Sequence, residues 1–460
     1  MISMLWGKFR TATQWVAVVC LLPVAGAHAQ QSSVTELQAQ VDSLTRQLEQ
    51  AQARLKNAQA MAEAAQAEPG SSPAQDEQGF AIGPLSIGGA LRVNYVYGDY
   101  AKSGGGPQRG SGGGNVELDT FRVNLSLQHD QVIGELEYRW YNGYNFLHTG
   151  WLGYAFDESS HVEVGVTRVP FGPGPYGVSQ SWFFDQHYYV GLADDMDLGV
   201  KYHQQRGQWQ WDVAYFLSSE GDWNGASQDS ARYSYDAVRW QSAIEPNGDV
   251  IDAPANGYSE RNQFNIRAIY DFGEAFGAAQ AGFSLQWGEL EGKRADDGHH
   301  WAASAHMRNT FGNATLATQL TRYEISAGDN RFGGDDLIAL GAYDFAWPVA
   351  TRAWIPAVSF SYRVDAPSLP WLDYVLPYIE YSSIVKDDDA FSDSELLMLG
   401  AAWASGGWYI YSDLAYSNGN LFIGNKGDDY SNIYSGVGDF GANGNDAWNY
   451  RFNINFGYYY

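Results

Sequence analysis

Apolar and polar residues alternate along the last stretch of the chain, which reads W-N-Y-R-F-N-I-N-F-G-Y-Y-Y from Trp448 to Tyr460. A large apolar side chain stands at every second position, and asparagine, arginine or glycine fills most of the positions between. Because side chains on a β-strand alternate between its two faces, this period predicts a strand with one face in lipid and the other toward water. We therefore expect a transmembrane β-barrel that this segment closes.

The same two-residue period recurs from Leu85 onward and predicts sixteen strands. Short connections such as 129–130 alternate with long ones such as 98–117, 218–260 and 418–446. Outer-membrane barrels place their short turns on the periplasmic side and their long loops outside the cell. The predicted strands are 85–97, 118–128, 131–141, 146–156, 161–169, 197–204, 208–217, 261–272, 278–289, 299–310, 313–323, 354–363, 376–386, 394–405, 408–417 and 447–460.

Residues 337–345 also look like a strand, and counting them would give an odd total. When strands are counted from the N-terminus, strand 313–323 runs from the periplasmic side to the outer side. When they are counted back from the C-terminus, strand 354–363 runs from the outer side to the periplasmic side. An outer loop over about 324–353 satisfies both directions, and closure of an antiparallel barrel favours an even number. The predicted fold is all-β, a 16-stranded antiparallel transmembrane β-barrel over residues 80–460, with an N-terminal α-helical coiled coil.

A different period, that of a coiled coil, marks residues 33–66. A helix this polar buries nothing alone, so the heptads predict association with other copies; a lone exposed helix or a peptidoglycan-facing spacer is the alternative. We assign residues 30–67 to a periplasmic coiled-coil oligomerisation segment and 68–79 to a linker. The a and d positions are held by Val34, Leu37, Val41, Leu44, Leu48, Ala51, Leu55, Ala58, Ala62 and Ala65.

Residues 1–29 have the layout of a secretory signal peptide. Basic Lys8 and Arg10 precede an apolar run, and Ala-His-Ala at 27–29 has the small-x-small pattern of a cleavage site. Cys20, the one cysteine of the sequence, lies inside this signal, so we expect no disulfide or thiolate chemistry in the mature chain. Loss of two positive charges with the signal takes the net charge from −26 to about −28. Such acidity argues against nucleic acid as a partner.

Basic side chains opposite the apolar series of each strand are predicted to line the lumen. An arginine on the lipid face near the membrane midplane costs about 2–4 kcal/mol, so the inward position is also the physically required one. Arg308 and Arg363 rest on weaker alternation than the others. The candidates from this pattern are Arg92, Arg122, Arg139, Lys201, Arg267, Arg308, Arg363 and Arg451.

Basic groups in a narrow pore focus positive potential and favour anionic solutes. Two alternatives remain: the arginines pair with Glu135, Glu137 and Asp212 and stiffen the wall, or they lie at the barrel ends among lipid headgroups. The predicted function is an outer-membrane porin, a water-filled diffusion channel for small hydrophilic solutes with a preference for small anions such as carboxylates.

Residues 172–197 lie between two predicted strands and are far longer than a turn. The segment begins G-P-G-P-Y-G and is dense in aromatic residues, which are costly in a freely solvated loop. We expect it to fold inward and narrow the pore; a surface loop packed on its neighbours is the alternative. Its candidate constriction residues are Tyr176, Trp182, Phe184, Tyr188, Asp194, Asp195 and Asp197.

Motifs for catalysis are missing from the sequence: G-x-S-x-G, H-E-x-x-H and a phosphate-binding glycine loop do not occur. His299 and His300 beside two aspartates do not suit a metal, because neighbouring residues on a strand point to opposite faces. We therefore expect no enzyme activity, no cofactor and no bound metal. A receptor or adhesin, or a barrel enzyme, acting through outer loops such as 218–260 with Trp223 and several tyrosines, stays as the alternative.

Three motifs resemble the phosphate-selective porin O and P family. They are V-E-V-G-V-T-R-V-P-F-G at 162–172, D-M-D-L-G-V-K-Y at 195–202 and, as an outer loop, L-G-A-Y-D-F-A-W-P-V-A at 340–350. With its coiled coil the chain is most similar to the dicarboxylate-type (DcaP-like) members. By position, the resemblance makes Arg168 and Lys201 pore-facing bases, with a bulge beyond Arg168 to turn it inward.

The resemblance also implies an assembly. It implies a homotrimer of 16-stranded barrels in the bacterial outer membrane, held through the coiled coil and the barrel wall, that passes small anions by diffusion. Lipopolysaccharide and outer-membrane lipid are the expected partners of the wall, and peptidoglycan is a further candidate. The chain lacks the dense ladder of arginines and lysines that phosphate-binding members carry, so the resemblance does not extend to phosphate.

Overall fold

The computed structural model describes most of the predicted barrel. The predicted signal peptide, coiled coil and linker, residues 1–79, lie outside the described residues. Among the described residues, no helix is both long and apolar enough to span a membrane. The described residues are 80–100, 113–225, 230–239, 241–244, 250–253, 257–273, 277–328, 335–420, 422–424 and 447–460.

Sixteen antiparallel strands of the described residues form one closed wall. The first strand pairs with the last, from Ala90 opposite Tyr459 to Gly98 opposite Arg451, so the sheet has no free edge. The predicted all-β architecture and the count of sixteen strands are confirmed, whereas the predicted coiled coil lies outside the described residues. The strands are β1 Leu85–Gly98, β2 Asn115–His129, β3 Val132–Trp140, β4 Asn145–Asp157, β5 Ser160–Arg168, β6 Met196–Arg206, β7 Trp209–Ser219, β8 Gly257–Asp271, β9 Ala279–Lys293, β10 Gly298–Phe311, β11 Ala314–Ser326, β12 Arg352–Tyr362, β13 Tyr374–Lys386, β14 Ser394–Ser405, β15 Trp408–Asn418 and β16 Trp448–Tyr459.

The two ends of the barrel differ in their connections. At the turn end, connections such as 130–131 and 207–208 have two residues, whereas the loop end carries residues 99–114, 169–195 and 220–256. Shorter elements accompany the wall. They are Phe80–Ile82 beside β1, Val364–Asp365 beside β13, the hairpin of Gln241–Ile244 and Val250–Ala253, and the 3-10 turn Tyr188–Val190.

The ambiguous stretch near residue 340 does form strands, but they stand apart from the wall. Leu337–Ala342 and Phe345–Ala350 make a hairpin at the loop end, and Asp236–Ala237 adds a third short strand to it. The direction argument from sequence therefore placed this stretch correctly in a loop.

Each wall strand presents an apolar face outward. On β16 the side chains of Trp448, Phe456 and Tyr458 are exposed, while Asn453 and Asn455 are fully buried on the lumen side. The outward series of the other strands is equally apolar, with Leu399 on β14 and Leu285 on β9 among its exposed members. Because lipid offers no hydrogen bonds, such a face suits a membrane and not water.

Three loop-end segments fill much of the lumen with aromatic side chains. They are residues 169–195, residues 230–238 and the 337–350 hairpin, which together contribute to one hydrophobic cluster. The tyrosines of predicted outer loop 218–260 therefore do not form a surface: Tyr233 and Tyr235 are 2% and 4% exposed. The alternative of an outer binding face built from these tyrosines is not favoured, because they pack against other inward segments.

Candidate solute pathway

The constriction segment, residues 169–195, crosses the lumen and is fastened to the opposite wall. The amide of Gly172 donates to Ser284 Oγ on β9 at 3.0 Å. The amide of Gln186 donates to Ser382 Oγ on β13 at 3.1 Å. These bonds satisfy backbone groups that an inward loop removes from bulk water.

Two buried wall carboxylates complete this attachment. Glu380 on β13 accepts hydrogen bonds from Ser179 Oγ at 2.7 Å and from the amide of Gln180. Asp413 on β15 accepts the amide of Trp182 at 3.1 Å. Both acids occupy inward positions of their strands, between outward neighbours. The alternation that predicted the inward arginines therefore applies to them as well, but neither acid was among the site residues predicted from the sequence.

The segment is shaped locally by a turn around Asp185. Its carboxylate accepts the amides of Val178 and His187, each at 2.8 Å. Gly177 has a φ of 63°, and a Cβ there would lie 2.4 Å from Asp185 Oδ2. Glycine is therefore required both by the left-handed backbone and by the closeness of the carboxylate.

A cavity of about 270 Å³ lies between this segment and strands β1–β3. Its wall side carries Arg92, Arg122 and Arg139, one from each strand. The segment contributes Tyr176, Trp182, Phe184, Tyr188 and Asp194 to the facing side. Five of the seven predicted constriction residues and three of the predicted basic residues therefore meet at one place.

Acids partly neutralise the three arginines. Arg92 Nε lies 2.7 Å from Asp119 Oδ2, and Arg139 contacts Glu137. Arg122 is more weakly held: its Nη1 is 3.4 Å from Glu137, and its Nε has no hydrogen-bond partner among the described residues. Pairing with Glu137, which the sequence offered as an alternative, therefore occurs, and it holds Arg122 at a longer distance than Asp119 holds Arg92.

A second cavity, of about 410 Å³, lies closer to the turn end. Lys201 lines it and pairs with Glu163 at 2.9 Å. Arg168 also lines it, while its ion-pair partner Asp194, at 2.9 Å, lines the first cavity. The Arg168–Asp194 pair thus lies between the two cavities.

Arg168 reaches the lumen side from the very end of its strand. The ladder between β5 and β6 is regular through Arg168 opposite Met196. Arg168 is the last residue of its strand, so its side chain is free of the strict alternation and reaches Asp194 instead. The bulge expected near Pro170 lies beyond the last pair of this ladder, which therefore does not test it.

The other predicted basic residues lie away from the first cavity. Arg267 pairs with Asp212 on the lumen side at 2.9 Å. Arg308 occupies an inward position near the turn end of β10. Arg363 lies beyond β12, half-exposed and paired with Asp365 at 2.8 Å, so it belongs to the rim and not to a wall strand.

Arg451 is buried behind the constriction segment. Its guanidinium carbon lies 4.9 Å from the ring centre of Trp182 and 5.1 Å from that of Phe183. It also donates to Asn453 Oδ1 at 2.7 Å and to the Phe422 carbonyl at 2.8 Å. Arg451 is therefore a support for the segment, not a group that meets solute.

Residues of four further loop-end segments line the first cavity, and no sequence pattern marked them. They are Tyr141, Tyr144, Tyr233, Tyr343 and Phe422. The hydroxyls of Tyr188 and Tyr343 lie 2.5 Å apart. Burial raises the pKa of both phenols well above its usual value, so they stay neutral hydrogen-bonding groups.

Asp195 and Asp197 do not line either cavity. Both are buried, and together with Asp236 they form the one group of potential metal ligands found among the described residues. His299 and His300 behave as the sequence indicated: His300 is buried on the lumen side and its neighbour is exposed on the other face.

No model of a known protein family matches the chain, and no curated protein matches it. Solved structures do. The outer-membrane channel DcaP of Acinetobacter baumannii is 12% identical, with a TM-score of 0.51 over 83% of this chain and 99% of its own. An anion-selective porin from Comamonas acidovorans is 13% identical, with a TM-score of 0.49 over 82% of this chain and 99% of its own. OmpT of Vibrio cholerae in its trimer form is 14% identical, with a TM-score of 0.49 over 82% of this chain and 99% of its own. The likeness to DcaP shows a porin-type outer-membrane barrel fold.

Proposed function

We propose that this protein is a porin of the bacterial outer membrane, a water-filled diffusion channel for small hydrophilic solutes that prefers small anions such as carboxylates. The observation that carries the proposal is a closed wall, apolar outside and polar inside, narrowed by an inward segment that is fixed by its own backbone hydrogen bonds. A structure of this kind offers a polar path through a layer that otherwise excludes polar solutes.

The anion preference is supported by the three arginines on one side of the first cavity. A guanidinium binds a carboxylate through two parallel hydrogen bonds, and Arg122 retains an Nε without a partner among the described residues. The same cavity is lined by Glu117, Asp119 and Asp194, so charges of both signs face it. We therefore expect a moderate preference and not strict exclusion of cations.

Conductance across planar bilayers tests the channel itself. The purified mature protein, refolded in detergent, is added to one side, and stepwise increases in current are the expected result. A protein that inserts but leaves the bilayer silent would reject the proposal. Liposome swelling with monocarboxylates, dicarboxylates, phosphate and neutral sugars then ranks the solutes that pass.

Reversal potential under a KCl gradient tests the anion preference. Arg122→Gln should shift the reversal potential toward cation selectivity, because it removes the charge that is least neutralised in the narrow part. Arg206→Gln is the matched control, since Arg206 is exposed at the turn end of β6 and lines neither cavity. The preference would be contradicted if the channel proved cation-selective and that selectivity did not change in Arg92→Ala, Arg122→Ala or Arg267→Ala.

We also propose the assembly that the family resemblance implies: a homotrimer held through the coiled coil of residues 30–67 and through the barrel wall, with the coiled coil in the periplasm. The apolar outward face of the wall suits contact with outer-membrane lipid, lipopolysaccharide and neighbouring copies. Peptidoglycan is a further candidate partner for the periplasmic segment.

A further inference from the structure

Five carboxylates meet at the loop end of β6, β7 and β8. Asp195 ends the constriction segment, Asp197 lies on β6, Glu220 follows β7, Asp236 belongs to the inward segment 230–238, and Glu260 lies on β8. Each of the first four is at most 4% exposed, and Glu260 is 9% exposed. A cluster of this size is costly inside a protein unless positive charge accompanies it.

The described residues bring little positive charge to it. Arg232 Nη1 donates to Asp236 Oδ2 at 3.1 Å and also to Ser219 Oγ at 2.8 Å. No other ion pair to these five acids joins described residues. One guanidinium cannot balance five carboxylates.

Neutral donors satisfy one oxygen each on several of these acids. The amide of Gln263 donates to Asp197 Oδ2 at 2.9 Å. The backbone amide of Ser234 donates to Glu220 Oε1, also at 2.9 Å. These contacts hold Asp197 and Glu220 through one oxygen each and leave the second oxygens of these acids to be satisfied in another way.

Three of those second oxygens are buried and accept no hydrogen bond from a described residue: Asp195 Oδ1, Asp197 Oδ1 and Glu220 Oε2. One carboxylate oxygen from each of Asp195, Asp197 and Asp236 lies within 4.8 Å of the others. A calcium ion binds oxygen at about 2.3–2.6 Å, so atoms separated by this distance can share a single ion.

We propose that this cluster binds one calcium ion, which ties the end of the constriction segment to segment 230–238 and to β6–β8. Oxygen donors alone select a hard cation. Calcium fits better than magnesium, because magnesium retains several of its waters and the burial of these acids leaves little room for them. The site goes beyond the proposed channel function and rests on the fold alone.

The alternative occupant is protons. Burial, and then the nearby Asp197 carboxylate, raise the pKa of Asp195 well above its usual value. Burial and Asp236 do the same to the pKa of Glu220. In metal-free protein, protons would occupy the positions that calcium takes in the complete site. The two occupants can be distinguished at neutral pH, because a chelator removes calcium and does not remove protons.

The test uses the full mature chain in detergent at neutral pH, stripped with EDTA and dialysed. Calorimetric titration with CaCl₂ should give about one ion per chain with a Kd on the order of 10⁻⁴ M or tighter. Calcium should also raise the unfolding temperature by several degrees, more than the same concentration of MgCl₂. Terbium should show luminescence under tyrosine excitation, since Tyr235 adjoins Asp236, and calcium should quench it by displacement.

The paired variant Asp195→Asn with Asp197→Asn keeps side-chain shape and removes two ligating charges. It should lose calcium binding and the calcium-dependent rise in unfolding temperature. Asp388→Asn with Asp389→Asn is the matched control, because it removes two charges from an exposed loop-end run. The control should keep the full calcium effect.

Two results together would overturn the proposal. Elemental analysis would find no calcium in wild-type protein dialysed against CaCl₂, and the unfolding temperature would be the same with calcium as with EDTA. Protons would then occupy the cluster. That result does not depend on whether the variant folds. An equal calcium effect in the paired variant would also overturn it. Calcium binding by a protein that is silent in bilayers would reject the porin and keep this site.

Discussion

At the scale of single residues, the charges inside the barrel divide by what they contact. Glu380 and Asp413 accept backbone hydrogen bonds from the constriction segment, and Arg451 stacks behind it. Arg122 faces the cavity with part of its donor capacity unused. Two-residue alternation predicted that Arg122 and Arg451 both point inward, but it could not show that aromatic rings cover one of them, because that depends on where a distant loop folds.

Glu380→Gln should loosen the constriction segment. The neutral amide is a weaker acceptor for the Ser179 hydroxyl and the Gln180 amide, and a lost hydrogen bond to a charged group costs about 1.5–3 kcal/mol. We expect noisier single-channel current with a higher mean conductance. Glu158→Gln, in an exposed turn-end connection, is the control. Current traces that match those of the wild type would show that Glu380 does not hold the segment.

Asp194→Asn should increase anion selectivity. It removes a negative charge that lines the first cavity and frees Arg168, which lies toward the second. Reversal potential under a KCl gradient is the measurement, and Asp222→Asn in the exposed part of the same barrel end is the control. An unchanged reversal potential would mean that this ion pair does not border the permeation path.

At the scale of elements, the strands were predictable and the loops were not. Lipid on one side and water on the other impose a period of two on every wall strand, so each of the sixteen could be read from its own residues. The inward position of Tyr233 and Tyr343 follows from contacts between segments more than a hundred residues apart, 5.6 Å between ring centres. No local pattern encodes such a contact. The carboxylate cluster is scattered over the sequence for the same reason.

Gly177→Ala should disturb the constriction segment as an element. The added methyl group would meet the Asp185 carboxylate in a left-handed backbone region, at a cost of about 1 kcal/mol or more. We expect altered conductance with the barrel still folded by circular dichroism. Gly174→Ala is the control, since a Cβ there meets no atom within 4 Å. Equal conductance in both variants would contradict the assigned role of Gly177.

Leu399→Lys tests the lipid face of the wall. Leu399 lies midway along β14, and a lysine at membrane midplane costs about 2–4 kcal/mol. Refolding into vesicles should be less efficient, and the free energy of unfolding from lipid should fall. Leu369→Lys makes the same change in a turn-end connection, where little loss is expected. Equal losses in the two variants would place β14 outside the membrane.

At the scale of the whole molecule, the barrel closes without the predicted coiled coil, whereas the proposed trimer is held by the coiled coil as well as by the wall. Deletion of residues 30–67 should therefore leave the conductance of each pore unchanged and lower the stability of the trimer to detergent and heat. Light scattering in detergent measures the mass, with the Leu285→Ile variant as an intact control. A deletion variant as stable in its trimer as the wild type would assign assembly to the wall.

Pairing between β1 and β16 also sets the order of events in assembly. Contacts across this seam join residues more than 350 positions apart, from Ala90 to Tyr459. Until Trp448–Tyr459 arrives, β1 and β15 each present a row of unmatched backbone donors and acceptors that other unfinished chains could capture. We therefore expect closure to be slow, because it joins strands far apart in the sequence, and we expect the unclosed chain to depend on chaperones that cover both strand edges.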